Sequence, residues 1–118
     1  MSQRMNYNAA SPAGMKALGA VYGYVRQSGL PSRLVDLVFL RVSQINGCAY
    51  CIDMHSKDAR AHGETEQRLY GLSAWREAPY YTDRERAALE WTEALTLIAQ
   101  QGVSDDLYNR VREHFSEE

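Results

Sequence analysis

No apolar run in these 118 residues approaches the ~18 that cross a bilayer, so no membrane partner is expected. The N-terminus, Met1-Ser-Gln-Arg-Met-Asn-Tyr-Asn, is polar where a secretion signal would be apolar, and a cytoplasmic protein is the default. Positive charge is not in excess. Thirteen Lys and Arg stand against 15 Asp and Glu, and the basic residues are scattered, so nucleic acid is not an expected partner. No segment alternates as a strand does, and there is no internal repeat, low-complexity tract or linker. Cysteine is scarce, with two in the whole chain. In a reducing compartment such a pair is a poor permanent staple and points to catalysis or metal binding.

What is present reads as one small domain spanning residues 1–118, all-α, with about six helices. Ser11-Pro12 starts a helix over about 12–28, with Met15, Leu18, Tyr22 and Val25 as its apolar stripe. Gly19 and Gly23, one turn apart on it, either admit another backbone or merely weaken the helix. Ser32 caps a second helix running to about Asn46. Its segment Leu34-Val-Asp-Leu-Val-Phe-Leu40 is apolar nearly all round, which predicts burial. Asn46-Gly47 is a turn. A third helix covers about 48–61 and Gly63 ends it; a fourth covers about 65–75. Thr82-Asp-Arg-Glu85 is a capping box for a fifth, whose Ala88, Trp91, Leu95 and Ile98 form the predicted core stripe. Gly102 closes it, and Ser104 opens a sixth with Leu107, Val111 and Phe115 facing inward. Phe115-Ser116-Glu117-Glu118 resembles the start of a further helix, which suggests a longer natural chain; the alternative is a frayed acidic tail.

The chemistry is concentrated in Cys48-Ala-Tyr-Cys-Ile-Asp-Met-His55. On a helix the two cysteines are about one turn apart and His55 is about one turn beyond Cys51, so all three share a face. Helical Cα atoms three apart lie about 5 Å from each other, within the range of a disulfide. A helix N-terminus favours thiolate, the reactive form. His55, four residues past Cys51, can accept its proton. Spacing therefore favours Cys51 as nucleophile, with Cys48 protonating the leaving group and closing the disulfide. Asp36 interrupts the apolar second helix, where a lone buried carboxylate is costly. If the chain reverses at Asn46-Gly47, residue counting puts Asp36 level with His55, and a carboxylate–histidine–thiol relay is one reading. The other is a surface acid on a polar edge with Ser43. Cys48, Cys51, His55 and Asp36 also form a zinc-ligand set, disfavoured because three of them share one helix. A pair of small buried hydrophobes is the plainest alternative, and a low-turnover redox sensor is another.

The remaining residues take simpler roles. His62 either flanks the site or faces solvent, the latter being the simpler expectation. Arg41 either pairs with an acid or is solvated, with solvation the default. Trp75 and Trp91 are core anchors. Tyr80-Tyr81 is expected to pack locally after Pro79. His114 suits a helix C-terminus.

The stretch Leu40-Arg-Val-Ser-Gln-Ile-Asn-Gly-Cys-Ala-Tyr-Cys-Ile-Asp-Met-His55 resembles the core of the alkylhydroperoxidase D-like proteins, within the carboxymuconolactone decarboxylase superfamily. The resemblance extends less sharply over about residues 32–98. It implies a helical fold assembled as homotrimers or homohexamers and a thiol peroxidase acting on hydroperoxides. Cys51 then matches the peroxidatic cysteine, Cys48 the proton donor and resolving cysteine, and His55 the relay histidine. It also implies a dithiol reductant, dihydrolipoamide-borne in the best-known members, and no bound cofactor. Two positions depart from the pattern. The relay glutamate twelve residues before the first cysteine is here Asp36, one methylene shorter, which suggests a bridging water. Tyr50 stands where the best-known members carry histidine, so their reductant does not transfer automatically. The superfamily's decarboxylases generally lack this cysteine pair, which disfavours lactone decarboxylation.

Overall fold

The computed structural model describes residues 3–118. The described residues form helices α1 (Tyr7–Ala10), α2 (Pro12–Gln27), α3 (Ser32–Asn46), α4 (Ala49–Ala61), α5 (Glu66–Tyr70), α6 (Asp83–Thr96), α7 (Ile98–Gln101) and α8 (Asp105–Arg112), with a 3-10 turn at Leu72–Ala74 and no strand. The all-α expectation holds. Two short helices were not foreseen. The first, α1, is capped by Asn6, whose side chain accepts from the Ala9 amide. The second, α7, arises because the fifth predicted helix breaks at Leu97. No helix of the described residues is long and apolar enough to cross a membrane.

Backbone contacts divide the chain into two units at Pro31 and Ser32. In the first, Pro12 occupies the first turn of α2, but the Ser11 hydroxyl makes no capping bond. Ser11 joins α1 to α2 through its backbone instead, donating to Tyr7 and accepting from Met15. The expected stripe is not a buried one: Leu18 and Tyr22 are exposed and Met15 and Val25 only partly covered. A Cβ at Gly19 or Gly23 would meet nothing within 4 Å among the described residues.

The second unit is organised on α3, which buries Leu34, Val35, Asp36, Leu37, Leu40 and Ser43, as its near-continuous apolar run demands. Leu37 and Leu40 join Leu72, Trp75, Ala78, Tyr81 and Leu89 in the main core, and α6 and α8 share a smaller one around Ala94, Leu107 and Val111. The Thr82–Glu85 capping box forms as expected, with each side chain accepting the other's amide. Tyr80 and Tyr81 do pack locally, with ring centroids 5.2 Å apart. Burial pushes the Tyr81 phenol up to about 12, so it remains a neutral donor, here to the Arg68 carbonyl.

The face of α6 differs from expectation. Leu95 and Ile98 are exposed, while Leu89, Thr92, Glu93 and Ala94 are buried. The inward row contains an acid, and Glu93 is held there by donors. Trp75 Nε1 lies 2.8 Å away, Arg41 Nε 3.0 Å and Arg76 Nη2 3.0 Å. Arg41 is therefore a partly buried partner of an acid rather than a solvated side chain. Glu64 plays the same part beside α4, accepting from Arg33, from Arg68 and from the Thr65 amide. Burial raises both carboxyls, but these hydrogen bonds outweigh it and hold each below the usual carboxylate value.

Replacing Glu93→Gln leaves Arg41 facing an uncharged amide, and a loss of about 2–4 kcal/mol is expected in urea unfolding. Most of it comes from Arg41 and Trp75, since Arg76 is more than half exposed. The ordinary value of both carboxyls is 4.5, and both are depressed on folding. Their stabilisation is therefore fully present above that pH and is lost as pH falls through the lower folded value. Acid unfolding followed by circular dichroism should be less steep in Glu93→Gln than in the parent chain.

Candidate active site

The loop after α3 sets the site. Gly47 adopts φ +64, which favours glycine, and the Cys48 amide returns to the Ser43 carbonyl at 3.1 Å. Cys48 is thereby the N-cap of α4, and its Sγ accepts the Cys51 amide at 3.3 Å. A sulfur thus occupies the place where serine or aspartate usually satisfies a helix's first free donors. One turn on, Cys51 meets it. The two form a disulfide with Cα atoms 5.3 Å apart. Negative charge left on Cys48 when the bond opens would face that amide and the positive end of a helix of 13 residues.

His55 follows one turn after Cys51 on the same helix and is buried against α3, its ring centroid 5.2 Å from that of Phe39. Asp36, fully buried one turn earlier on α3, has its Oδ2 2.6 Å from His62 Nδ1. These two contacts confirm the antiparallel hairpin: Phe39 faces His55, and Asp36 meets the residue that follows α4. Asp36 and Ser43 are both buried, so the surface-acid alternative does not hold. Among the described residues no three His, Cys, Asp or Glu gather closely enough to hold a metal ion.

His62 was expected in solvent. Its side chain is 44% exposed yet engages the buried carboxylate. The local cause lies in the end of α4. Gly63, at φ +90, lets its own amide reach the Arg60 carbonyl and the Glu64 amide reach that of Ala59. This double closure fixes His62 as the last residue of the turn. Glu64, held by Arg33 from α3 and Arg68 from α5, clamps the chain just beyond it. A helical side chain leans towards its own N-terminus, so His62 reaches back to the level of Asp36.

A carboxymuconolactone decarboxylase family model matches residues 12–94, most of the chain and all of the cysteine helix. The chain belongs to this family. Over its full length it is 52% identical to the uncharacterized protein YdfG of Bacillus subtilis (strain 168), covering 80% of that protein. It is 31% identical over 90 residues to the uncharacterized protein YnjA of Escherichia coli (strain K12), a match covering 76% of this chain and 49% of that one. The fold superimposes with a TM-score of 0.92 on a crystal structure of an Agrobacterium tumefaciens protein of unknown function, described as a candidate AhpD antioxidant defence protein. The two are 48% identical, and the match covers 98% of this chain and 80% of that one. The AhpD-like membership read from the cysteine segment therefore stands, and an antioxidant type of function is the general inference it supports.

The closure at Gly63 is testable. A side chain there would be strained at positive φ whatever the space around it. Gly63→Ala should cost about 1–2 kcal/mol in urea unfolding. Gly63→Asn, which tolerates that backbone better, should cost less.

Proposed function

We propose that the chain is a thiol-dependent hydroperoxide reductase that cycles Cys48 and Cys51 between dithiol and disulfide. The reading is carried by the bridged pair at the start of α4, with His55 one turn further along. In the reduced chain His55, served by Asp36, takes the Cys51 thiol proton. The Cys51 thiolate attacks the terminal oxygen of the hydroperoxide. The O–O bond breaks, the sulfur is oxidised to sulfenic acid, and the departing alkoxide takes the Cys48 proton to leave as an alcohol. The cap position suits Cys48 to this task, because the thiolate it becomes accepts the Cys51 amide. Cys48 then attacks the Cys51 sulfur. The S–S bond forms, the S–O bond breaks, and the hydroxide regains the proton held at His55 and leaves as water.

An external dithiol of the dihydrolipoamide type reopens the bridge by exchange and is itself oxidised to a disulfide. A reducing cytoplasm suits a bond that must be opened at every turnover. The apolar side chains left exposed by the first unit, among them Leu18, Val21 and Tyr24, support a homotrimer or homohexamer as the working form. Sedimentation velocity should then find three or six copies, and a monomer at micromolar concentration would contradict that assembly.

The decisive assay is peroxide consumption driven by dihydrolipoamide. Cys51→Ser should abolish it, and Cys48→Ser should reduce multiple turnover at least a hundredfold, on the order of the loss of a general acid together with the resolving thiol. Wild-type activity in Cys51→Ser would overturn the reading, and rapid oxidation of the dithiol that no dithiol donor restores would reduce it to a sensor.

A further inference from the structure

His62 is the one histidine in contact with the buried carboxylate that the cysteine chemistry does not use. Its position combines a 2.6 Å contact with a fully buried acid and a side chain 44% open to solvent. Of the charged residues near it in sequence, Arg60 is bound to Glu66 and to the Glu64 carbonyl and Lys57 to Asp53, while Asp58 stands one turn earlier on α4. The Gly63 closure fixes the His62 backbone, and the Asp36 contact holds its ring.

The proposed cycle has a physical difficulty at its first step. The proton taken from Cys51 must wait until hydroxide is released, and on His55 it would create a cation on a ring that is only 9% exposed. A charge held out of water is costly unless it is relayed or paired. A half-exposed imidazole on the same carboxylate offers a place where that charge is solvated.

We propose that His62 is the outer, solvent-side member of the proton relay, taking positive charge from the His55–Asp36 side to the surface while Cys51 reacts. The inference rests on the reading of Asp36 as the acid serving His55. The Cys51 thiol proton goes to one nitrogen of His55, the proton on the other His55 nitrogen passes to Asp36, and the proton shared in the 2.6 Å Asp36–His62 contact moves from the Asp36 oxygen to His62 Nδ1, so each group hands one proton outward. The hydroxide expelled at disulfide closure is neutralised by that proton or by one that water has exchanged for it, so the alcohol, water and disulfide account for every atom. His62 touches neither sulfur nor peroxide in this scheme and is a positioning and proton-carrying residue.

The test uses the whole reduced chain and the rate at which hydrogen peroxide removes its two thiols in a single turnover. His62→Gln keeps a hydrogen-bonding amide beside Asp36 but cannot take up a proton; His62→Ala removes both. Each should slow thiol loss about tenfold, a modest general-base effect because water still offers a slower route. Added imidazole should restore His62→Ala in proportion to its concentration. Wild-type rates in His62→Gln would show that the hydrogen bond alone matters and would overturn the proposal, as would a slow His62→Ala that imidazole leaves unchanged. Asp36→Asn separates the two levels. If it is slow while both His62 variants are normal, the relay stands and the role of His62 falls. If it reacts at the wild-type rate, the relay acid and this proposal fall together.

Discussion

The hydrogen bond from the Cys51 amide to Cys48 Sγ decides where both sulfurs stand. A helix must satisfy its first free amides, and here the chain does so with a thiol side chain rather than a hydroxyl. That choice places Cys48 at the mouth of α4 and Cys51 one turn inside, at 5.3 Å between Cα atoms, a spacing at which the proposed opening and closing of the bridge needs little movement of the backbone. Everything further along α4 inherits its position from this start. His55 falls on the same face, and thirteen helical residues bring the chain to His62.

The opposite wall of the site is α3, and its reliability depends on two buried acids that belong to the fold. Glu93 ties α3 to α6 through Arg41, and Glu64 ties the start of α3 to α5 through Arg33 and Arg68. Isolated, either carboxylate would be too costly to bury; with several donors each, they become fixed points between helices. Glu64 thus ties the chain just after α4 to the start of α3, Glu93 fixes α3 against α6, and Asp36 lies on α3 with no exposure of its own. A short acid in a rigid seam has little freedom to choose partners, which is why the register of the hairpin matters so much for the chemistry.

Much of this was legible because local rules agree with the tertiary result. Asn46-Gly47, the capping box at Thr82 and Glu85, and Gly63 as a stop all act within a few residues of themselves. Helical spacing alone puts Cys51 and His55 one turn apart, while Cys48 stands at the extended cap and meets Cys51 through the disulfide. Other features depended on neighbours distant in sequence. Glu93 sits in the inward row of α6, so an apolar stripe traced through Leu95 and Ile98 picks the wrong side, and only the unexpected Arg41 in an apolar helix hinted at its partner. Solvent was the simpler expectation for His62 because counting residues from a turn gives the heights of Cα atoms, whereas side chains lean back along their helix. The stripe on α2 is correct as a pattern, but a pattern does not say which surface, within one chain or between several, covers it.

Which sulfur meets the peroxide sets the direction of the proposed cycle. Trapping sulfenic acid with a cyclic 1,3-dione in Cys48→Ser and Cys51→Ser variants, each treated with one equivalent of hydroperoxide and read by mass spectrometry, addresses this directly. The adduct should appear on Cys51 in the first variant at a rate matching thiol loss, and Cys48 in the second should react far more slowly. Rapid adduct formation on Cys48, with Cys51 inert, would contradict the assignment and with it the direction of the whole cycle.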